Sequence, residues 1–411
     1  MSALNSSHIT KFLVLSLMGG LIYTVSDGIR VNLGIIIEPL SQSSGLSYAT
    51  LSFILASGQF IYGLSQPFFG ILALKRSYQY VLVLGTLMMA TGLIGSAYAH
   101  NAFLMFIFLS LLLFGSTGAL CFGLVLSCML PLFDKKQALV FTGILNTAAG
   151  VGCAFFSPVY SFLLEGFSVS VTLLLLTLPV WILLPISIFL GRLNKTHAPL
   201  KEELIKLNIV KTLKEAISDH SYQIMLISFA ICGFHMGIIY THLFTQFTSQ
   251  GLSNKEATFA FTMFGSAVIA GCFLCGVACV KYRSSKILST IYLSRALIVG
   301  FYIFCMPKNE YSALFFAITL GLTCDATVAP TSLNVSEHFG GEKLALLFGI
   351  VYISHQLGVF ISAALGGYFI DCLNNYDLIW VLDILLCLSA SLLCLSLNIH
   401  RRAIKQQNLS I

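Results

Sequence analysis

The chain has 411 residues, of which 57% are hydrophobic and 9% are charged, and its formal net charge is +6. Soluble domains carry about 25% charged residues, so this composition excludes a soluble enzyme, a nucleic-acid-binding protein and a disordered chain. It predicts an all-α membrane protein that crosses the bilayer many times.

Apolar stretches predict twelve transmembrane helices, because about 20 consecutive apolar residues cross the hydrocarbon core of a bilayer. In chain order they span 11–38, 49–74, 79–99, 102–130, 137–164, 169–191, 221–247, 256–280, 286–306, 310–335, 343–370 and 376–399. Short polar breaks, such as Lys75-Arg76, mark the turns between them.

The cations predict how the chain is oriented in the membrane. With both termini in the cytoplasm, the cytoplasmic segments contain eighteen of the 22 Lys and Arg residues, and the opposite side contains only Lys255 and Lys308. Arg30 and Arg295 lie inside predicted helices. Because Lys and Arg accumulate in cytoplasmic loops, we expect a multi-pass protein of the cell inner (plasma) membrane with both termini cytoplasmic.

The longest polar stretch, 192–220, predicts a cytoplasmic linker. Apolar residues recur in it with helical spacing, which indicates an amphipathic helix along the membrane surface; they are Leu204, Leu207, Val210, Leu213 and Ile217. The linker separates a predicted N-terminal six-helix bundle, 1–191, from a C-terminal six-helix bundle, 221–400. A cytoplasmic tail, 401–411, is expected to follow.

One offset of 206 residues relates glycine patterns in the two halves. The related patterns are Gly70-x4-Lys75 with Gly276-x4-Lys281, Gly115-x-Thr117 with Gly321-x-Thr323, and Gly143 and Gly152 with Gly349 and Gly358. A shared offset at three places indicates an internal duplication. Duplicated six-plus-six membrane chains are typical of transporters that rock two halves about a central site.

Several motifs carry a resemblance to a known family. They are Gly28-Ile29-Arg30, Gly34, Pro39-Leu40, the run from Gly63 to Gly70, Cys232-Gly233-Phe234-His235, Thr241-His242-Leu243, the run from Ile291 to Leu297, the run from Leu347 to Val351, and the run from Ser354 to Gly358. On these motifs the chain resembles the major facilitator superfamily, and within it the bacterial monocarboxylate and oxalate/formate antiporter-like group. The resemblance implies two pseudo-symmetric six-helix bundles.

The loops after the second and eighth predicted helices depart from the family pattern. Leu74 and Val280 stand where the family carries an aspartate that is thought to latch the cytoplasmic side. We expect the remaining loop residues and the small residues of the fifth and eleventh helices to serve gating and close helix packing. These residues are Gly70, Lys75, Arg76, Gly276, Lys281, Gly150, Gly152 and Gly358.

Charges inside a membrane helix cost at least ~2.5–3.5 kcal/mol at the bilayer centre, so they indicate function. Arg30, midway along the first helix, is the leading candidate for holding a substrate carboxylate, because guanidinium binds carboxylates with two parallel hydrogen bonds. Asp27 lies one turn earlier on the same face, and a purely structural Asp27–Arg30 pair is the alternative. Arg295 is a second candidate anion contact, and its alternatives are snorkelling to the membrane surface or a bond to a neighbouring helix.

Further polar residues inside the helices complete the predicted site. His235, His242, His355 and Gln356 are expected to line a substrate cavity, and core histidines bonded to neighbouring helices are the alternative. Asn32, Gln59 and Asn146 rank below Arg30 as substrate contacts, because uncharged polar residues often join helices. The candidates for proton coupling are Asp27, Asp325, His235 and His355.

The sequence therefore predicts a secondary active transporter and not an enzyme. It would move a small organic anion such as a monocarboxylate with a proton or a counter-solute, acting as a monomer in the lipid bilayer. Export of a drug, metabolite or siderophore is the alternative, followed by a non-transporting sensor or membrane enzyme. No ATP-binding motif and no cofactor motif stands out, and no metal site is expected because Cys272, Cys275 and Cys279 lack nearby polar support.

Overall fold

The computed structural model describes residues 2–193 and 209–407. All regular secondary structure in these ranges is helical, which confirms the predicted all-α fold. The chain divides into two compact units, Met1–Leu204 and Ile205–Ile411.

The first unit contains six long helical segments, labelled α1 to α6. Their bounds are Ser2–Val31 for α1, Tyr48–Lys75 for α2, Tyr78–Tyr98 for α3, the pieces Ala102–Met105, Phe106–Phe114, Gly115–Ala119 and Phe122–Met129 for α4, Lys135–Gly166 for α5, and the pieces Val169–Leu175 and Thr177–Leu193 for α6. After α1 the chain continues through a 3-10 turn, Leu33–Ile36, into the short helix Ile37–Ser44.

The second unit begins, within the described residues, with the amphipathic helix Ile209–Ser218. Six long segments follow: His220–Ser249 for α7, Asn254–Lys281 for α8, Ser284–Cys305 for α9, the pieces Glu310–Thr323, Asp325–Thr327 and Val328–Phe339 for α10, Gly341–Leu373 for α11, and Asp377–Gln407 for α12. Residues 194–208 of the predicted linker and 408–411 of the predicted tail lie outside the described residues.

Side-chain caps fix where many of these helices begin, because a Ser, Asn or Asp oxygen accepts from an otherwise unpaired backbone N–H. Ser47 and Ser77 cap α2 and α3 in this way, and Asp219 caps α7. Asp134 at α5 and Ser253 at α8 form reciprocal capping boxes. The short polar breaks in the sequence therefore carry the residues that start the next helix.

Eleven helical stretches in the described part of the chain are long and apolar enough to cross a membrane. The remaining long segment, α2, has 28 residues. Its mean hydropathy is lowered by Gln59 and Gln66, which lie among its apolar residues. The prediction of twelve segments therefore agrees with the structure in helix number.

Glycines let one pair of helices approach closely in each unit. A Cβ on Gly152 of α5 would lie 2.5 Å from the Thr24 carbonyl oxygen of α1. A Cβ on Gly358 of α11 would collide with the Ala230 carbonyl oxygen of α7. Since Gly152 and Gly358 are related by the 206-residue offset, the repeat extends to equivalent close helix packing inside each unit.

Candidate functional site

Arg30 lies in α1 at the centre of a cluster of polar and aromatic side chains, and it is 8% exposed. Its guanidinium forms an ion pair with Asp27, one turn earlier on the same helix. Its Nη1 donates a 2.7 Å hydrogen bond to Oε1 of Gln59 in α2. The guanidinium carbon also lies 4.3 Å from the ring centroid of Tyr62, a cation–π contact.

Helical spacing on both helices assembles this Arg30 cluster. Asp27 and Arg30 are three residues apart on α1, and Gln59 and Tyr62 are three residues apart on α2, so each pair shares one helix face. Every contact that Arg30 makes in these pairs is with a side chain. A guanidinium held by side chains can exchange its carboxylate partner for another carboxylate without any change in the backbone.

Asn32 and Asn146 lie apart from this pattern of contacts. Asn32 is buried at the end of α1, and its amide nitrogen donates to the Gly28 carbonyl at 2.7 Å and to the Cys153 carbonyl of α5 at 3.3 Å. Its side-chain oxygen has no partner among the described residues. Asn146, in α5, is exposed. Asn32 thus joins two helices in this structure, as the alternative interpretation expected.

Arg295 of α9 is fully buried and contacts the break in α10. Its Nη2 donates to the carbonyl oxygens of Thr323 at 2.6 Å and of Cys324 at 2.5 Å. Its Nη1 lies 3.2 Å from Sγ of Cys232 in α7. The first piece of α10 ends at Thr323 and leaves carbonyls without intrahelical partners. Arg295 satisfies them, which is the helix-to-helix role named as its alternative.

A fully buried histidine–carboxylate pair in the second unit joins α7 to α12. Nδ1 of His235 lies 2.7 Å from Oδ2 of Asp383, and both side chains are inaccessible to solvent. Sγ of Cys387 lies 3.7 Å from the other oxygen of Asp383. Arg295 is close enough to act electrostatically on both His235 and Cys387. Asp383 was not among the predicted site residues, and its carboxylate in an otherwise apolar helix is the sequence signal that could have indicated it.

His235, Asp383 and Cys387 also form the one group in the described ranges whose geometry could hold a metal ion, with ligand atoms within 4.8 Å of one another. One feature disfavours a cation there, because Arg295 already supplies a positive charge nearby. The group is better described as a His–Asp pair.

The cysteines of α8 are a separate set. Among them, the thiol of Cys275 donates to the Ala326 carbonyl at 2.8 Å.

The other predicted histidines pack between α7 and α11. Nε2 of His242 lies 2.8 Å from the Ala363 carbonyl oxygen. Nε2 of His355 lies 3.2 Å from Sδ of Met236, and Gln356 contacts His355 at 3.5 Å. The Gln356 side-chain oxygen is buried without a partner among the described residues. In this conformation these side chains join helices.

The remaining predicted residues lie at breaks and loops. Asp325 is half-buried and begins the 3-10 turn inside α10. Lys75, Arg76 and Lys281 are exposed at helix ends, and a Cβ on Gly70 or Gly276 would meet no atom within 4 Å. Gly150 is buried in α5.

A polytopic helical protein with a duplicated architecture and buried charges in apolar helices has the features of a secondary transporter. The model of the Major Facilitator Superfamily matches residues 17–335 and 251–409. The chain belongs to this superfamily, as its motifs predicted. It is therefore a multi-pass membrane transporter of a small molecule and not an enzyme.

Curated relatives are similar over most of their length. The chain is 24% identical to monocarboxylate transporter 12 of Mus musculus over 351 residues, which cover 78% of this chain and 71% of that protein. It is 25% identical to monocarboxylate transporter 12 of Xenopus laevis over 75% of this chain and 71% of that protein. It is also 25% identical to an uncharacterized MFS-type transporter, YcxA, of Bacillus subtilis (strain 168), over 77% of this chain and 78% of that protein.

Proposed function

We propose that the protein moves a small organic anion, such as a monocarboxylate, across the inner membrane by alternating access. The observation that carries this proposal is the buried Arg30 with its exchangeable carboxylate partner. The names of the similar monocarboxylate transporters support the same substrate class. The bias of cations towards one side supports cytoplasmic termini, and we expect a monomer.

The Asp27–Arg30 pair suggests how an anion and a proton would be linked. A substrate carboxylate that takes the place of Asp27 on Arg30 leaves Asp27 charged and unpaired. An unpaired carboxylate in a site of low dielectric is costly, and it becomes neutral by binding a proton. Anion binding at Arg30 would thus favour proton uptake by Asp27, and the net charge of anion plus proton is zero.

The His235–Asp383 pair is the other place where a proton could be carried. Histidine is the side chain whose ordinary pKa lies nearest physiological pH, so a histidine paired with a carboxylate is a second candidate for holding the coupling proton. Proton coupling at Asp27 and proton coupling at the His235–Asp383 pair predict different effects of single substitutions on transport. The carboxylate exchange at Asp27 is preferred here because it links the proton directly to the anion.

Transport by purified protein in proteoliposomes tests the proposal. Uptake of a panel of labelled monocarboxylates is measured with and without an inward proton gradient, and we expect at least one to accumulate in a gradient-dependent manner. Arg30→Ala should lower the initial uptake rate at limiting substrate by about thirtyfold or more, since loss of a buried charge partner costs ~2–5 kcal/mol. Arg192→Ala, which changes an exposed arginine at the end of α6, is the matched control.

Full uptake by Arg30→Ala would contradict the role of Arg30 as the anion contact. Failure of every carboxylate in a preparation that exchanges another class of solute would contradict the substrate class. Thermal unfolding of each variant in detergent separates loss of transport from loss of the folded protein. The conservative change Arg30→Lys should keep part of the uptake, because it retains the charge but not the two parallel hydrogen bonds.

A further inference from the structure

An apolar groove of about 450 Å³ lies in the second unit, between α8, α9 and the middle of α10. Gly271, Cys275 and Ala278 of α8 line one side of it, and Ile287 and Ile291 of α9 line the other. Its volume falls within the range of about 300–1,000 Å³ that is usual for ligand sites. The groove is long, apolar and open along its edge.

Small side chains on α8 leave space for this groove. The equivalent helix of the first unit, α2, has larger side chains at the same positions. The 206-residue offset relates Cys275 to Phe69 and Ala278 to Leu72. Phe69 is a buried aromatic side chain in the first unit. The second unit thus carries two smaller residues where the first carries bulky ones, and the space they leave is the groove.

Three cations lie around the end of the groove that the sequence assigns to the cytoplasm. Lys281 ends α8, Arg283 lies in the turn, and Lys286 lies in the first turn of α9 and lines the groove itself. All three side chains are exposed, and none of them pairs with a carboxylate among the described residues. Tyr282, also at this end, is 64% exposed.

The start of α9 adds a further attraction for an anion. α9 begins at Ser284 without a side-chain cap, and the positive end of its helix dipole lies at the turn that contains Arg283. Together with Arg283 and Lys286, this makes the mouth of the groove strongly favourable for a phosphate group. The body of the groove favours hydrocarbon.

We propose that this groove binds one anionic phospholipid of the cytoplasmic leaflet. The phosphate lies between Arg283, Lys286 and the start of α9, and one acyl chain lies against Gly271, Cys275 and Ala278. Basic clusters next to membrane helices recognise anionic headgroups in this way. The proposal does not depend on which solute is transported.

Native mass spectrometry of the delipidated full chain tests the proposal. The probes are phosphatidylglycerol and phosphatidylcholine with identical palmitoyl and oleoyl chains, which differ only in the charge of the headgroup. We expect one phosphatidylglycerol to remain bound at several-fold lower lipid concentration than phosphatidylcholine. The double variant Arg283→Ala/Lys286→Ala should lower phosphatidylglycerol binding to the level of phosphatidylcholine.

Two further variants separate the headgroup from the acyl chain. Cys275→Phe/Ala278→Leu fills the groove with side chains of the sizes found in the first unit, and it should weaken binding of both lipids. Lys75→Ala/Arg76→Ala removes two exposed cations from the equivalent loop of the first unit and should leave binding unchanged. The substituted cations are all exposed, so the variants that change them should fold, and circular dichroism checks folding in every variant, including the one with the filled groove.

Three outcomes would overturn the proposal. The first is equal binding of the two lipids by the unchanged protein. The second is an equal loss of phosphatidylglycerol binding in the first-unit control. The third is complete displacement of phosphatidylglycerol by soluble glycerol 3-phosphate, which would mean that a phosphate alone occupies the mouth and that the groove contributes nothing.

Discussion

The two arginines inside the membrane helices differ in the partners that hold them. Arg30 in the first unit contacts the side chains of Asp27, Gln59 and Tyr62. Arg295 in the second unit contacts the backbone carbonyls of Thr323 and Cys324. Side-chain partners can rotate away, whereas carbonyls at a helix break stay where the backbone places them. A buried arginine is therefore available to a ligand only when its present partners can leave.

Removal of Arg295 should have the largest effect on stability. Arg295→Ala leaves two buried carbonyls of α10 unsatisfied, at ~1–3 kcal/mol each. We expect a loss of several kcal/mol, seen as a much lower midpoint of thermal unfolding in detergent, and poor expression. Arg30→Ala should cost less stability, because Asp27 can bind a proton. A larger loss of stability in Arg30→Ala than in Arg295→Ala would contradict this prediction.

The change Asp27→Asn tests whether the carboxylate of Asp27 competes with the substrate anion for Arg30. It keeps a hydrogen-bond acceptor beside Arg30 but removes the competing charge. We expect a lower KM for the anion and an uptake rate that responds several-fold less to the proton gradient. If the gradient dependence persists in this variant and disappears in Asp383→Asn, the coupling proton belongs to the His235–Asp383 pair.

A third ion pair, half-exposed, gives the smallest expected effect. Asp219 caps α7, and its Oδ2 lies 3.2 Å from Nε2 of His338 in α10. Burial raises the pKa of Asp219, but hydrogen bonds from the Tyr222 backbone and His338 outweigh it, so the pKa is lowered overall. A lowered pKa stabilises the fold above the unfolded pKa of about 3.9, and this contribution is lost as the pH falls below that value.

Asp219→Asn should therefore remove part of the acid sensitivity of thermal unfolding and little else. Because the pair is partly exposed and screened, the difference at neutral pH should stay within about 1 kcal/mol. Unfolding midpoints measured from pH 6 down to pH 3 for both proteins check this. A midpoint difference that grows as the pH falls would have the wrong sign for this pair.

Sequence patterns predicted the helices and the Asp27–Arg30 pair well, because both depend on spacing along one chain segment. The breaks in α4 and α10 were not predicted, because the apolar runs continue across both of them and single residues such as Gly118, Gly321 and Asp325 do not by themselves end a helix. Distant groups stabilise both breaks: Arg295 binds the carbonyls of α10, and Ser26 donates to the Leu120 carbonyl of α4 at 3.2 Å. The contact between Asp383 and His235 joins residues 148 positions apart in sequence, so spacing along one segment could not predict it.

The contact between Gln59 and Arg30 has a consequence for how the protein is made. Among the residues that the structure describes, α2 is the long helix outside the eleven that qualify as membrane spans on their own. Gln59 is one of the polar residues that lower its hydropathy. Arg30 likewise raises the free energy of inserting α1 into lipid when that helix enters alone. Because each helix supplies the polar partner of the other, we expect α1 and α2 to leave the translocation channel together as one hairpin during synthesis.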